Sequence, residues 1–311
     1  MSSWTIDDIP DQSGRVVLVT GANSGLGFQT ARALARRGAR VLMGCRDATR
    51  AQRALDTIKD EQPACAAEIV PMDLASLASI RAAADDVRSR AGQLDILVNN
   101  AGVMAIPRRE TADGFEMQFG TNHLGHFALT GLLLSRLFET PGSRVVTVSS
   151  NGHKMGWMRF GDLQGEKRYW RWPAYAQTKL ANLLFAYELQ RRLEASGAKT
   201  ISVAAHPGYA ATNLAAVGPE MSGNKLMGRI TRLGDRLVAQ SDLQGALPQL
   251  YAATAPDVKG GEYFGPDGIG EFRGGPKRTR STRRSHDRDA ARRLWEISED
   301  LTGVRYDFGP A

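Results

Sequence analysis

Short runs of aliphatic and β-branched residues alternate along the chain with longer segments in which apolar residues recur every three or four positions. The runs 16–19 and 96–98 contain no polar residue, which is typical of strands buried on both faces of a parallel sheet. The alternation predicts one α/β domain with a doubly wound, Rossmann-type sheet of about seven mostly parallel strands and helices on both faces. The predicted strands are 15–20, 40–44, 68–72, 94–99, 144–149, 200–205 and about 262–264, and the predicted helices are 26–37, 48–60, 77–90, 114–138, 174–193 and 242–255.

Composition supports a globular protein with a single domain over residues 1–311. The chain is 42% hydrophobic and 23% charged, which is typical of a protein that buries a full core. Cys45 and Cys65 have no CxxC or histidine spacing around them, so neither a disulfide framework nor a structural zinc site is indicated. The amino terminus is acidic and no segment approaches about 18 apolar residues, which predicts no transmembrane segment and a cytoplasmic location.

The net charge of +7 is concentrated near the carboxyl end. Residues 271–290 carry seven basic side chains against three acidic ones, and they open a basic extension over about 271–311. A nucleic-acid or anionic-membrane contact is one interpretation of this stretch. No DNA-binding motif accompanies it, so we favour a solvated surface and expect no nucleic-acid partner. The basic residues are Arg273, Lys277, Arg278, Arg280, Arg283, Arg284 and Arg288.

A glycine-rich segment, 20–27, follows the first predicted strand and opens the first predicted helix. Gly21 permits a tight turn, Gly25 lets backbone N–H groups approach a pyrophosphate, and Gly27 permits close packing of the helix on the sheet. A merely structural strand-to-helix turn is the alternative. The segment predicts a dinucleotide site formed by Gly21, Asn23, Ser24, Gly25, Leu26 and Gly27.

The end of the second predicted strand indicates which dinucleotide is preferred. An acidic residue there selects NAD(H) through the ribose 2′-hydroxyl, whereas Arg46, with Arg50 one turn further on, suits a 2′-phosphate. Asp47 is either the ribose-binding acid or the cap of the next helix. We therefore expect NADP(H) in preference to NAD(H). Asp73 and Leu74 follow the third predicted strand, where an adenine can be contacted.

Residues suited to proton transfer lie further along the chain. Tyr175 and Lys179 are four residues apart, on one face of a predicted helix, where the ammonium lowers the pKa of the phenol. Ser150 follows the fifth predicted strand, and its hydroxyl can hold a carbonyl oxygen; Ser149 is the alternative if the strand end is displaced by one residue. Asn122 lies in the helix that follows the fourth strand.

Two other kinds of site are not indicated. His123 and His126 are three residues apart on a helix that should be buried, but no third ligand has suitable spacing. We expect hydrogen-bonded structural histidines and no metal site. The sequence also has no GxSxG nucleophile elbow, which argues against an α/β-hydrolase.

In this order, the motifs resemble the short-chain dehydrogenase/reductase family over nearly the whole chain. They are the glycine turn, NNAG at 99–102, the serine at the strand end, the YxxxK of Tyr175 and Lys179, and HPG at 206–208. CRD at 45–47, YAQTKLAN at 175–182, LWE at 294–296 and LTG at 301–303 resemble the retinol dehydrogenase and protochlorophyllide reductase-like branch. The resemblance implies hydride transfer between a nicotinamide and an alcohol, aldehyde or ketone.

The resemblance also implies a role for each matching residue. Tyr175 is the implied acid/base, and Lys179 lowers its pKa and bonds the nicotinamide ribose. Ser150 orients the substrate carbonyl, and Asn122 supports a proton relay through a water. The implied cofactor contacts beyond the glycine turn and the adenosine end are Asn99, Ala101, Gly102, Pro207, Gly208 and Thr212.

The chain departs from the family pattern between Ser150 and Tyr175, which are 25 residues apart, more than is usual. The inserted segment contains Trp157, Phe160, Tyr169, Trp170 and Trp172. These rings either wall a pocket for an apolar substrate or pack the insertion onto the sheet. Residues 208–241 are the predicted substrate loop.

The leading hypothesis is an NADP(H)-dependent oxidoreductase acting on a small apolar alcohol, aldehyde or ketone. Its alternative is a non-catalytic NADP(H)-binding sensor or scaffold, against which the complete set of Ser150, Tyr175 and Lys179 argues. We also expect a homo-oligomer formed through helices 114–138 and 174–193, unless the carboxyl-terminal extension covers one of them.

Overall fold

Eight strands form one sheet at the centre of the protein, and helices cover both of its faces. The computed structural model describes residues 4–208 and 241–309. The strands are β1 (Val16–Thr20), β2 (Arg40–Cys45), β3 (Ala67–Pro71), β4 (Ile96–Asn99), β5 (Arg144–Val148), β6 (Ile201–Ala205), β7 (Tyr263–Pro266) and β8 (Pro276–Arg278). The α-helices are α1 (Gly25–Arg36), α2 (Ala48–Glu61), α3 (Leu77–Arg90), α4 (Met117–Phe119), α5 (Gly125–Leu132), α6 (Leu134–Phe138), α7 (Arg171–Ala195), α8 (Asp242–Thr254) and α9 (Arg288–Thr302).

The strand order is β3-β2-β1-β4-β5-β6-β7-β8, with β1 to β7 parallel and β8 antiparallel to β7. The order reverses between β1 and β4, and the crevice at such a point is where open α/β sheets bind ligands. The predicted doubly wound sheet is confirmed. The prediction missed one strand: β8 has the sequence Pro-Lys-Arg, and this edge strand carries no apolar run by which it could be recognised.

Alternate side chains of the central strands supply two separate cores. Val17 and Val19 point toward the layer that contains α1, α2 and α8. Leu18 and Leu97 point to the opposite layer, which contains α3, α5 and α7. Because both faces are covered, β1 is buried along its whole length, which explains the run without polar residues.

The predicted helix 114–138 is broken in the structure, which corrects that prediction. A π-helical segment, Gly120–Leu124, separates α4 from α5. Gly120 and Gly125 lie at the two ends of this segment, and both are packed closely against neighbouring residues. A Cβ on Gly125 would lie 2.6 Å from the carbonyl oxygen of Leu74. Wide turns of this kind are frequent at functional sites, and this one carries Asn122.

The carboxyl-terminal extension covers the helices through which we expected a homo-oligomer. Helix α9 packs on α7, α5 and the π-helical segment. Trp295 is 2% exposed, stacks on Phe185 with 5.8 Å between ring centroids, and meets Phe127 edge-on at 5.1 Å. This face is therefore occupied by the chain itself, and a homo-oligomer built on it would have to displace α9.

The basic stretch lies on the surface. All seven of its lysines and arginines are exposed, and some are already paired: Arg278 forms ion pairs with Asp257 at 2.8 Å and Glu262 at 2.6 Å, and Arg284 lies over the Trp157 ring at 4.6 Å. Within residues 4–208 and 241–309, no helix combines the length and the apolar character needed to cross a membrane.

Candidate active site

A cleft opens at the carboxyl edge of the sheet, along the ends of β1 to β5. It is lined by the glycine turn, the loops after β2, β3 and β4, and the start of α7. Fourteen predicted site residues line it: Gly21, Asn23, Ser24, Gly25, Leu26, Gly27, Arg46, Asp73, Leu74, Ala101, Gly102, Tyr175, Lys179 and Pro207. The structure therefore brings most of the predicted dinucleotide residues into one cleft with Tyr175 and Lys179. Two other predicted site residues, Asn122 and Ser150, do not line this cleft.

The glycine turn has a backbone geometry that favours glycine and leaves helix amides open. Gly21 has φ +68°, a conformation that favours glycine. A Cβ on Gly27 would lie 2.3 Å from the carbonyl oxygen of Gly21, so the position accepts no larger residue without movement of the backbone. Ser24 caps α1 without a side-chain hydrogen bond to the helix, which leaves the first amides of α1 available to an anion.

Three charged residues, Arg46, Asp47 and Asp73, line the part of the cleft that follows β2 and β3. Asp47 is the N-cap of α2, and its Oδ1 accepts a hydrogen bond of 2.9 Å from the amide of Arg50. Of the two interpretations of Asp47, the structure thus shows the capping contact. Arg46 is exposed on the cleft wall. Oδ1 of Asp73 accepts from the amide of Ala75 at 3.0 Å, which orients the carboxylate at the end of β3.

Tyr175 and Lys179 lie on one face of α7, as their spacing predicts. The Lys179 Nζ atom is 5.7 Å from the centre of the Tyr175 ring and donates a 3.1 Å hydrogen bond to the carbonyl oxygen of Val148. Burial raises the pKa of Tyr175 to about 12, and a hydrogen bond with the Ser150 hydroxyl opposes this rise. The pKa of the phenol is therefore not lowered here by Lys179, contrary to what the spacing of the two residues predicts. Burial also lowers the pKa of Lys179 to about 8.

The two serines after β5 have different surroundings. The Ser149 hydroxyl is buried and donates a 2.8 Å hydrogen bond to the carbonyl oxygen of Lys179. Ser150 is half-buried beside the Tyr175 phenol, and its Oγ accepts from the amide of Gly152 at 3.1 Å. The Ser150 hydroxyl is therefore the one beside the phenol, while that of Ser149 is engaged with the backbone of α7.

Asn122 forms hydrogen bonds with both the loop after β4 and helix α7. Its Oδ1 accepts from the Val103 amide at 2.7 Å, while its Nδ2 donates to the Val103 carbonyl at 2.9 Å and to the Thr178 hydroxyl at 3.1 Å. The side chain is fully buried. These bonds tie the loop after β4 to α7, next to Gly102 and Lys179.

The segment 15–222 matches the family model described as short chain dehydrogenase. The chain belongs to the short chain dehydrogenase family. The match covers more than half of the chain, and it includes the glycine turn, Ser150, Tyr175 and Lys179.

Relatives of this short chain dehydrogenase cover almost all of it. Retinol dehydrogenase 14 from Mus musculus is 42% identical over 94% of this chain and 86% of its own length. Polyprenol dehydrogenase from the same organism is 42% identical over 95% of this chain and 86% of its own length. A crystal structure of an uncharacterised protein from Mycobacterium paratuberculosis is 43% identical and superposes with a TM-score of 0.81, covering 98% of this chain and all of that one.

These similarities confirm the retinol dehydrogenase branch and the Rossmann-type fold. This short chain dehydrogenase is an oxidoreductase of the class that interconverts CH–OH and C=O groups with a nicotinamide dinucleotide. They do not favour the non-catalytic sensor or scaffold.

Two predicted cofactor contacts of this short chain dehydrogenase, Asn99 and Gly208, are not among the residues that line the cleft. The Asn99 side chain is buried and donates a 3.0 Å hydrogen bond to the Thr130 hydroxyl of α5, so it points away from the cleft. Gly208 lies beside the cleft-lining Pro207 without lining it, and Thr212 lies outside the described residues. Asn100, which was not predicted as a site residue, does line the cleft, and its Nδ2 donates to the Thr20 carbonyl at 2.8 Å. The NNAG motif contained this signal, one residue further along.

The paired histidines are hydrogen-bonded inside the core. His123 contacts the Ser298 hydroxyl at 2.9 Å, and Nε2 of His126 contacts the Thr20 hydroxyl at 2.9 Å. Burial lowers the pKa of His123 to about 3 and that of His126 to about 4, so both are neutral near pH 7. Within the part of the chain that the structure describes, no three His, Cys, Asp or Glu side chains gather where they could hold a metal ion.

The aromatic residues of the insertion have two kinds of surroundings. Trp172 meets the Tyr175 ring edge-on at 6.5 Å and is 55% exposed. In contrast, the Tyr169 hydroxyl donates to the carbonyl oxygen of Ile106 at 2.8 Å, and Phe160 packs against the core between α7 and α9. Tyr169 and Phe160 thus anchor the insertion, whereas Trp172 is exposed beside Tyr175.

Proposed function

We propose that this protein is an NADP(H)-dependent oxidoreductase that transfers hydride between the nicotinamide and an apolar alcohol, aldehyde or ketone, with Tyr175 as the general acid/base. The observation that carries the proposal is that Tyr175 and Lys179 line one end of a cleft whose other end is the glycine turn, with the Ser150 hydroxyl beside the Tyr175 phenol. Hydrogen-bonding reach between these groups is what proton transfer to a substrate oxygen requires.

The residues of the cleft fit a nicotinamide dinucleotide. The turn at Gly21 and the uncapped amides of α1 suit a pyrophosphate. Gly102 leaves little space for a side chain, since a Cβ there would lie 3.0 Å from Asn122 Oδ1. The cofactor supplies or accepts the hydride when it is bound; binding, orientation and the proton come from the chain.

Each catalytic side chain has a separate task in this proposal. Tyr175 donates its phenolic proton to the carbonyl oxygen during reduction and takes the proton back during oxidation. Lys179 carries a positive charge that stabilises the phenolate and donates hydrogen bonds to the nicotinamide ribose. The Ser150 hydroxyl holds the substrate oxygen beside the phenol, so that the proton travels along an existing hydrogen bond. Asn122 holds the loop after β4 in a fixed position relative to α7 through its hydrogen bonds to both.

Two observations support an apolar substrate. Trp172 exposes an aromatic face next to Tyr175, and such a ring binds apolar chains. The relatives named retinol dehydrogenase and polyprenol dehydrogenase take their names from long apolar alcohols.

A series of straight-chain aldehydes tests this proposal directly. With NADPH, we expect kcat/KM to rise about 4-fold per added methylene, because each buried methylene is worth ~0.8 kcal/mol. Trp172→Ala is expected to flatten this dependence. Trp157→Ala is the matched control, because that ring is similarly exposed, at 62%, but its ring contact is with Arg284 and not with Tyr175. Equal kcat/KM across the series, or absence of turnover with every aldehyde, ketone and alcohol offered, would contradict the proposal.

The preference for NADP(H) is proposed from Arg46. We expect Arg46→Ala to lower kcat/KM for NADPH by about 10- to 100-fold, because a charge-assisted contact with the 2′-phosphate is lost, and to leave kcat/KM for NADH unchanged. Steady-state kinetics with both dinucleotides measure the two effects. Arg53→Ala on the exposed face of α2 is the control. An equal loss with both dinucleotides would show that Arg46 does not discriminate between them.

A further inference from the structure

We propose that Glu271 and His206 form a positioning pair that fixes the turn Pro207–Gly208 at the nicotinamide end of the cleft. The inference rests on the proposed function, because it assumes that a nicotinamide dinucleotide occupies the cleft. Glu271 lies outside the segment 15–222 that matches the family model. The pair therefore joins a residue of the carboxyl-terminal part of the chain to the end of β6.

His206 is the first residue after β6 and is 0% exposed. Its Nδ1 accepts a hydrogen bond of 3.2 Å from the amide of Gly208. Because Nδ1 accepts, the neutral ring carries its proton on Nε2. The Glu271 carboxylate faces Nε2, with its Oε2 atom 3.4 Å away. Gly265 makes room for the ring, since a Cβ there would lie 2.0 Å from Nε2.

Glu271 is held in a conformation that costs energy. Its φ is +58°, a region that residues other than glycine occupy rarely and at a cost. Its Oε2 accepts from Lys154 Nζ at 3.0 Å, its other oxygen accepts from the Thr279 hydroxyl, and its carbonyl oxygen accepts from Asn151 Nδ2 at 3.1 Å. The segments after β5 and β8 thus hold the carboxylate against His206.

The ionisation states favour a stable contact between the two side chains. Hydrogen bonds from His206, Thr279 and Lys154 hold the pKa of Glu271 well below its usual range. Burial lowers the pKa of His206. Near pH 7 the pair is therefore a carboxylate facing a neutral imidazole N–H, which fixes the tautomer and the orientation of the ring.

The orientation of His206 is transmitted to the cleft through the turn. Gly208 has φ +70°, and a Cβ on it would lie 2.4 Å from the carbonyl oxygen of Phe272, next to Glu271. The turn is thus held between the ring of His206 and the loop that carries Glu271. Pro207 lines the same cleft as Tyr175 and Lys179, so a shift of the turn changes the nicotinamide end and leaves the glycine turn in place.

Calorimetric titrations of the full-length protein with NADP⁺ and with adenosine 2′,5′-bisphosphate test the pair without relying on turnover. The bisphosphate contains only the part that binds near Arg46 and Asp73. We expect Glu271→Gln and His206→Asn each to weaken NADP⁺ binding by about 10-fold, with unchanged affinity for the bisphosphate. Asparagine retains an acceptor for the Gly208 amide but cannot reach Glu271. The double variant should be no weaker than His206→Asn alone, because both changes break one contact.

Glu262→Gln is the matched control, since Glu262 pairs with Arg278 on the same side of the sheet. Unchanged NADP⁺ affinity in the Glu271 and His206 variants would overturn the inference, and so would a parallel loss for both ligands, which indicates a general structural effect. NAD⁺ and AMP replace the two ligands if the unsubstituted protein selects NAD(H). If it binds neither dinucleotide, the proposed function fails, and this inference fails with it.

Discussion

Replacing Tyr175 with phenylalanine is expected to lower kcat for reduction of an apolar aldehyde by about 10²- to 10⁴-fold, which is the usual contribution of a positioned general acid. The substitution removes only the hydroxyl, and the phenyl ring keeps its edge-on contact with Trp172. Dinucleotide affinity should therefore change little. Steady-state kinetics and a fluorescence titration with NADPH measure the two quantities.

Tyr187→Phe is the matched control for this substitution. Tyr187 lies on the same helix, α7, and is also buried, but its hydroxyl contacts Ser281 at 2.8 Å, away from the cleft. We expect nearly unchanged turnover in this variant. Turnover that survives in Tyr175→Phe would show that another group donates the proton, and Tyr175 would lose the role proposed for it.

The second large effect is expected for Lys179→Met, which keeps much of the side-chain volume and removes the charge. The phenolate at Tyr175 loses its only proposed cationic neighbour, and the nicotinamide ribose loses a donor. We expect kcat/KM for NADPH to fall by about 10²- to 10³-fold. Lys199→Met, an exposed position beyond the end of α7, is the control.

The pH profile separates the charge of Lys179 from its packing. The pKa of Lys179 is about 8 because the side chain is buried, so the ammonium is present below pH 8 and is lost as the pH rises through that value. The profile of kcat/KM for NADPH reports groups of the free enzyme. In the unsubstituted protein we expect it to fall above about pH 8, and in Lys179→Met we expect this fall to be absent. A fall of the same size in both proteins would assign the ionisation to another group.

The general architecture could be predicted because its causes are local. Alternation of apolar runs with amphipathic segments decides which stretches become strands and which become helices, and right-handed crossovers leave few ways to arrange them. The glycine turn is recognisable for the same reason: the required φ angles and the absence of a Cβ are properties of Gly21 and Gly27 themselves. The spacing of Tyr175 and Lys179 likewise follows from the period of one helix.

The sequence could not predict in the same way which of two adjacent side chains at the end of a strand faces the cleft. Successive side chains near the end of a strand point in opposite directions, so a shift of one residue exchanges which of them faces the cleft. At the end of β5 the choice falls between Ser149 and Ser150, and at the end of β4 between Asn99 and Asn100. The hydrogen bond of Asn99 to α5 decides the second case, and Asn100 lines the cleft. At the end of β5, Ser149 lines the cleft with its hydroxyl bonded to α7, while Ser150 lies beside the Tyr175 phenol.

The sequence by itself determined the doubly wound sheet, the dinucleotide turn and the Tyr175–Lys179 pair, because each depends on residues close together in the chain. Only the tertiary structure decided which side chains of neighbouring residues face the cleft, that α9 covers α5 and α7, and that Glu271 meets His206. These contacts join segments that are distant in sequence. Their geometry is set by the packing of whole elements, which no local pattern of residues encodes.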